Sequence, residues 1–245
     1  MKRVLVTGAA KRIGKAIAEA FAKDGYGVIV HCNRSVEEAE TLAAKLRDGG
    51  AEARVASCDL AEPDGPARLM DDVLSDGLGL DALVNNASVY RRGALAQTAP
   101  ELLEQDFIVN FRAPFELMRL YRNRCSGGSI VNLLDYRVRL ADPASGGYGL
   151  AKKAMADATE AAALEWAPSF RVNAVAPGIV LPPDGVPMER MARLVERIPV
   201  KSRTTEEDIA SAVLFLAKAP SINGQILYLD GGLHLLGANA LGEKN

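Results

Sequence analysis

Cysteine, histidine and tryptophan are scarce in this chain: 245 residues include three Cys, two His and one Trp. Cys32, Cys58 and Cys125 are scattered, and no Cys-x-x-Cys pair exists. With only His31 and His234 as imidazole ligands, neither a structural zinc site nor a disulfide framework is expected, and a reducing cytoplasm fits. Excess charge is missing as well. The net charge is −2, which leaves no electrostatic footprint for nucleic acid. No segment reaches the roughly 18 consecutive apolar residues that a spanning helix needs, so no membrane association is expected. The opening Met1-Lys2-Arg3-Val4-Leu5-Val6 turns glycine-rich at once, and its apolar run is too short for a signal peptide.

What is present is enough apolar content, 49%, for one large α/β domain spanning residues 1–245. Short β-branched runs alternate with helical stretches. The runs are 4–6, 28–30, 53–56, 82–84, 129–134, 171–175 and 225–229. Helices are expected over 13–23, 36–47, 66–74 and 101–122, with a further one carrying Tyr148 and running to Trp166. Seven strands separated by helices predict a parallel, doubly wound Rossmann-like sheet with ligands at the carboxyl ends of its strands. The irregular stretch from Pro177 to Pro187 reads as a binding loop. With the following segment it forms a small lid, about 179–200, over the substrate; Met188 and Met191 are its soft fillers. The last helix residues, Leu150 to Trp166, are alanine-rich on nearly every face. That predicts burial on both sides, one against the sheet and one against a second subunit. Gly237 to Asn245 reads as a frayed tail.

Thr7-Gly8-Ala9-Ala10-Lys11-Arg12-Ile13-Gly14 falls where the first strand meets the first helix. Gly8 and Gly14 let backbone approach a pyrophosphate, which a helix N-terminus attracts. The second strand ends in Asn33-Arg34-Ser35, with no carboxylate before Glu37 to hold a ribose 2′-hydroxyl. Arg34 instead offers a fork suited to a 2′-phosphate, with Lys11 and Arg12 adding charge, so NADP(H) is preferred to NAD. Asp59-Leu60 after the third strand fits beside an adenine, and Asn86-Ala87 after the fourth borders a ribose.

Tyr148 and Lys152 are i and i+4 on one helix face, and Asp135 lies thirteen residues before the tyrosine. A phenol beside a cation ionises more readily, which suits general acid–base work near neutral pH. Pro114, four residues after Asn110, has no N–H for the Asn110 carbonyl, which is left free to hold a water.

Taken together, Thr7-Gly8…Gly14, Asn85-Asn86-Ala87, Asn110, Tyr148/Lys152 and Pro177-Gly178 resemble the short-chain dehydrogenase/reductase family over essentially the whole chain. The resemblance implies an NAD(P) cofactor and a homotetramer or homodimer. It makes Tyr148 the proton donor, has Lys152 hold the nicotinamide ribose, and makes Asn110 a holder of the relay water. Two departures stand out: Arg12 replaces the family's middle glycine, and Asp135 replaces its catalytic serine. A third is that Ile179-Val180-Leu181 offers no threonine for the nicotinamide carboxamide. The pteridine reductase and dihydromonapterin reductase subset is similar in sharing Thr7 to Gly14, the His31 to Ser35 turn, Ser88 with Tyr90, and the aspartate. That similarity implies that Tyr90 stacks a pterin, that Arg12 reaches phosphate and substrate, and that Ser88, Asp135 and Tyr148 border the substrate. The function expected is reduction of a pterin by NADPH. The alternatives are a carbonyl reductase, for instance on a 3-oxoacyl thioester, and a non-catalytic NADP-sensing regulator.

Overall fold

The computed structural model describes residues 1–180 and 194–237. Its strands are β1 (Arg3–Val6), β2 (Gly27–Cys32), β3 (Ala53–Ser57), β4 (Ala82–Asn85), β5 (Gly128–Leu133), β6 (Phe170–Pro177) and β7 (Ile226–Leu229). They form one seven-stranded sheet in the order β3-β2-β1-β4-β5-β6-β7, and every neighbouring pair is parallel. Helices follow the strands: α1 (Arg12–Lys23), α2 (Val36–Asp48), α3 (Gly65–Leu74), α4 (Pro100–Phe107), α5 (Ala113–Arg124), α6 (Gly146–Trp166) and α7 (Glu206–Lys218).

Burial on both faces explains why the central strands read as unbroken apolar runs rather than as alternation. Val4, Val6, Val28 and Val30 face one layer, packing with Ile17 and Phe21 of α1 and Val213 and Leu216 of α7. Leu5, Ile29, Leu83 and Ile130 face the other, against Leu69, Leu117, Tyr121 and Met155. The strand order reverses between β1 and β4, and the crevice where ligands settle in open α/β sheets opens there.

One expectation about helices needs correction. The stretch 101–122 is not one helix: a π turn, Ile108–Arg112, separates α4 from α5, and Ala113 N donates to Ile108 O. Pro114 is the cause, because it brings no N–H and the backbone bonds one residue wider. The Ala-rich helix buries one side against the sheet, as expected. Ala151, Ala156, Ala162 and Ala163 pack inward, whereas Leu150, Asp157, Glu160 and Leu164 stand exposed on the outer side. Among the described residues no helix is long and apolar enough to cross a membrane. Met188, Met191, most of the lid and the tail beyond Gly237 lie outside the described residues.

Candidate active site

The turn after β1 is laced to the loop after β4. Thr7 Oγ1 accepts from the backbone N–H groups of Asn86 and Ala87, each at 2.9 Å. Asn86 Nδ2 donates back to the carbonyls of Thr7 at 2.8 Å and Gly8 at 3.0 Å. Gly8 takes a φ of +63° with Ala87 close by, and Gly14 lies against the Gly8 carbonyl. Ile13 is half-buried between them, and Arg12 is held in the left-handed region at φ +52°. Asn33 and Arg34 are exposed after β2, and Ser35 occupies the N-cap position of α2 without a side-chain capping bond. After β3, Asp59 Oδ1 accepts from Ala61 N at 2.8 Å, and Leu60 is buried. Pro177 ends β6, and Gly178 N donates to Leu229 O at 2.8 Å. The residues expected at the cofactor thus share the carboxyl edge of the sheet. The Lys11 ammonium is ion-paired with Glu38 at 2.5 Å, both side chains being about half exposed.

His31 holds this turn from beneath. Its Nδ1 accepts from Gly8 N at 3.1 Å, which leaves Nε2–H to donate to the Cys58 carbonyl at 3.1 Å. Burial pushes its pKa down to about 4. The unfolded chain therefore binds a proton that the folded chain refuses, and stability is complete above about pH 6.5 and falls as the pH drops towards 4. We expect roughly 3 kcal/mol of acid sensitivity that a His31→Gln variant lacks. Denaturant unfolding at pH 7 and near pH 4 reads it, and parallel acid losses in both proteins would contradict it.

The catalytic candidates meet on the far side of the crevice. Three glycines start α6: a Cβ on Gly147 would meet Asp106 Oδ2 at 2.9 Å, and one on Gly149 would meet Ser145 Oγ at 2.0 Å. Their absent side chains let the first turn of α6 press against α4 and set Tyr148 in the wall. The Tyr148 hydroxyl donates to Asp135 Oδ2 at 3.0 Å. Tyr90 packs T-shaped with the Tyr148 ring, with centroids 4.8 Å apart, and is 42% exposed. Asn110, in the π turn, donates to Val89 O and Asp106 O, each at 3.0 Å, and accepts from Ser88 Oγ at 2.6 Å. The Ser88 hydroxyl is thus committed to Asn110.

Lys152 does not act on the phenol as expected. Its Nζ donates to Leu133 O at 2.6 Å and lies 5.7 Å from the Tyr148 ring centroid. Burial brings its pKa down to about 8. The Tyr148 pKa is raised, not lowered: burial is the main cause, the Asp135 carboxylate adds to it, and Arg137 opposes it. The phenol is therefore held protonated, as a donor must be before it reacts.

Arg137 is the site residue that sequence reasoning missed. Asp135 caps a short 3₁₀ turn, Tyr136–Arg139, and its Oδ1 accepts from Arg137 N at 2.9 Å. Arg137 Nη1 donates to Asp135 Oδ2 at 2.9 Å, and Nε is ion-paired with Asp142 at 2.9 Å. The guanidinium also lies 4.9 Å from the Tyr136 ring centroid and 5.5 Å from that of Tyr90. An arginine two residues after the aspartate was the available signal, but only the 3₁₀ turn folds it back.

A crevice at the switch point of a parallel sheet, with a tyrosine and a lysine buried one turn apart on a helix at its wall, can be set beside known proteins. A family model described as enoyl-(acyl carrier protein) reductase matches residues 8–234. The 3-oxoacyl-[acyl-carrier-protein] reductase FabG of Staphylococcus aureus strain N315 is 30% identical, covering 96% of this chain and 98% of its own. The crystal structure of FolM alternative dihydrofolate reductase 1 from Brucella canis, complexed with NADP, is 36% identical with a TM-score of 0.87, covering 96% of this chain and 94% of its own. That of the angucycline C-6 ketoreductase LanV, with bound NADP, is 29% identical with a TM-score of 0.88 and 96% coverage of each chain. The chain belongs to the short-chain dehydrogenase/reductase family and is an NAD(P)-dependent oxidoreductase.

Proposed function

We propose that this protein is an NADPH-dependent pterin reductase, converting a dihydropterin to its tetrahydro form. The observation that carries the reading is the 3.0 Å bond from the Tyr148 hydroxyl to Asp135, a carboxylate where the family has a serine. A carboxylate oxygen beside the proton donor opposes the negative charge that grows on a ketone oxygen. It favours a substrate that carries N–H groups and gains its proton on nitrogen.

The residues fit NADP(H). The end of β2 presents Asn33, Arg34 and Ser35 and no carboxylate to repel a 2′-phosphate. Gly8 and Gly14 place no side chain of their own at the turn after β1, and Asn86-Ala87 and Pro177-Gly178 border the same edge. Bound NADPH supplies a hydride to a C=N carbon of the pterin, C6 in this reading. Tyr148 gives the ring nitrogen its proton, so one C–H and one N–H bond form together. Asp135 accepts a hydrogen bond from the pterin. The phenolate left on Tyr148 regains its proton from solvent through water held near Asn110, with Asp135 taking a proton from that water as it passes one on. Lys152, a cation at the pH values below about 8 where it is protonated, holds the nicotinamide ribose. Tyr90, which is partly exposed at the site, stacks the pterin.

Arg12 is assigned to phosphate and substrate. Its left-handed φ costs about 1 kcal/mol, and glycine would relieve it while adding a similar entropy to the unfolded chain. Arg12→Gly should leave stability within about 0.5 kcal/mol of wild type and raise the KM for NADPH and pterin at least roughly tenfold. A marked loss of stability with unchanged KM would reverse that assignment. A self-associated state is also part of this reading, since Leu150 and Leu164 on α6 and Leu102 on α4 are exposed. A monomer mass by light scattering would remove it.

The test is NADPH oxidation with dihydromonapterin or dihydrobiopterin. Asp135→Ser should abolish that turnover. Wild-type rates no better than those of Tyr148→Phe would end the reading. A 3-oxoacyl reductase is the second reading, favoured by the 30% identity to FabG.

A further inference from the structure

We propose that Arg137 is the positioning residue that makes an aspartate workable in the family's serine position, by holding Asp135 and the face of Tyr90 in one rigid unit. The proposal rests on the pterin reading for its substrate but not for its geometry. A lone carboxylate beside a buried phenol is a poor neighbour. It strengthens the phenol's hold on its proton, and nothing stops it swinging away to solvent. Both problems are met by the same residue. Arg137 binds Asp135 twice, through its backbone N–H to Oδ1 and through Nη1 to Oδ2, so the carboxylate cannot rotate without breaking a bond. Oδ2 is also the oxygen that receives the Tyr148 hydroxyl.

Arg137 is itself held by charge and ring contacts, although its buried Nε makes no hydrogen bond. Asp142 is ion-paired with Nε, and Asp142 is tied down in turn by Ala144 N at 2.9 Å. The rings of Tyr136 and Tyr90 lie within 5.5 Å of the guanidinium carbon. An exposed surface pair would have none of this: the Arg137 side chain is 23% exposed and that of Asp135 is 13% exposed. Lysine could supply the charge but not the fork or the flat face for two rings. One residue therefore couples the proton-delivering end of the site to the aromatic platform that would carry the substrate. The field of Arg137 also favours ionisation of Tyr148, against the effect of Asp135.

Two measurements test this, and they separate it from the pterin assignment. In pterin reduction, Arg137→Met should lose about 100-fold in kcat/KM, as a misplaced catalytic group does, with the KM for NADPH within threefold of wild type. Arg137→Lys should fall between the two, and it carries the test if the methionine variant does not fold. The second measurement needs no substrate. Tyrosinate absorbance is followed with pH in Asp135→Ser and in Asp135→Ser/Arg137→Met, with Tyr148→Phe subtracted. The phenol should ionise at lower pH in the single variant, where Arg137 remains. Turnover of Arg137→Met within threefold of wild type, or the same phenol titration in both backgrounds, would overturn the proposal. If the wild type reduces no pterin, the functional reading fails, and the titration alone still decides the role of Arg137.

Discussion

Tyr148→Phe is expected to lower kcat by about 10²- to 10⁴-fold in pterin reduction, the range of a lost general acid, while the KM for NADPH barely moves. The hydroxyl is the only atom removed. The ring keeps its packing in the wall, where Tyr148 is 6% exposed and Tyr90 packs T-shaped with it. The unmatched partner is Asp135, but Arg137 N and Nη1 still satisfy its two oxygens, so the cost to stability is small. Burial and the neighbouring carboxylate hold the phenol protonated in the free enzyme. The pH profile should therefore show no acid-side loss from this tyrosine, because lowering the pH keeps it in its donating form. A variant that kept a tenth of the wild-type rate would assign the proton to water or to another group.

Gly14→Ala should be the most damaging single substitution to the cofactor end. A methyl there would lie 2.2 Å from the Gly8 carbonyl oxygen, 2.6 Å from Asn86 Nδ2 and 2.9 Å from Ala9 Cα. Two of these three neighbours are backbone, and the third is the amide that ties the β4 loop to the turn, so none can give way cheaply. Forcing α1 away from the turn should cost about 3 kcal/mol in stability, the upper part of the overpacking range. NADPH affinity should fall by roughly 100-fold, since the turn and the α1 N-terminus move together. Gly49→Ala is the control: its nearest neighbour is a carbonyl oxygen at 3.4 Å, and stability should change by less than about 0.5 kcal/mol. Similar melting points for the two variants would mean that the turn has slack that these distances do not allow.

Sequence periodicity was a good guide to the sheet because central parallel strands are covered on both faces. Val4-Leu5-Val6 and Val28-Ile29-Val30 are apolar without a break for that reason. The i, i+4 spacing of Tyr148 and Lys152 was legible too, because helix geometry fixes it. Other features depend on contacts between segments. Arg137 looks like a loop charge until the 3₁₀ turn brings it onto Asp135. The π turn at Asn110 needed knowledge of which N–H groups remained once Pro114 was placed. The sign of the Tyr148 shift depended on how deeply the ring is buried and on Lys152 bonding the Leu133 carbonyl. A cation four residues away in sequence could not reveal either.

In the proposed function, Asp135 is the residue that sets the substrate class. The most direct test is a competition of rates on one preparation: kcat/KM with NADPH for a dihydropterin against that for a 3-oxoacyl thioester. A ratio of at least about 100 towards the pterin is expected, in line with a carboxylate that disfavours a developing alkoxide by a few kcal/mol. A ratio that favours the thioester would mean that the Asp135–Arg137 pair is tolerated by a ketone reductase, and the pterin assignment would fall.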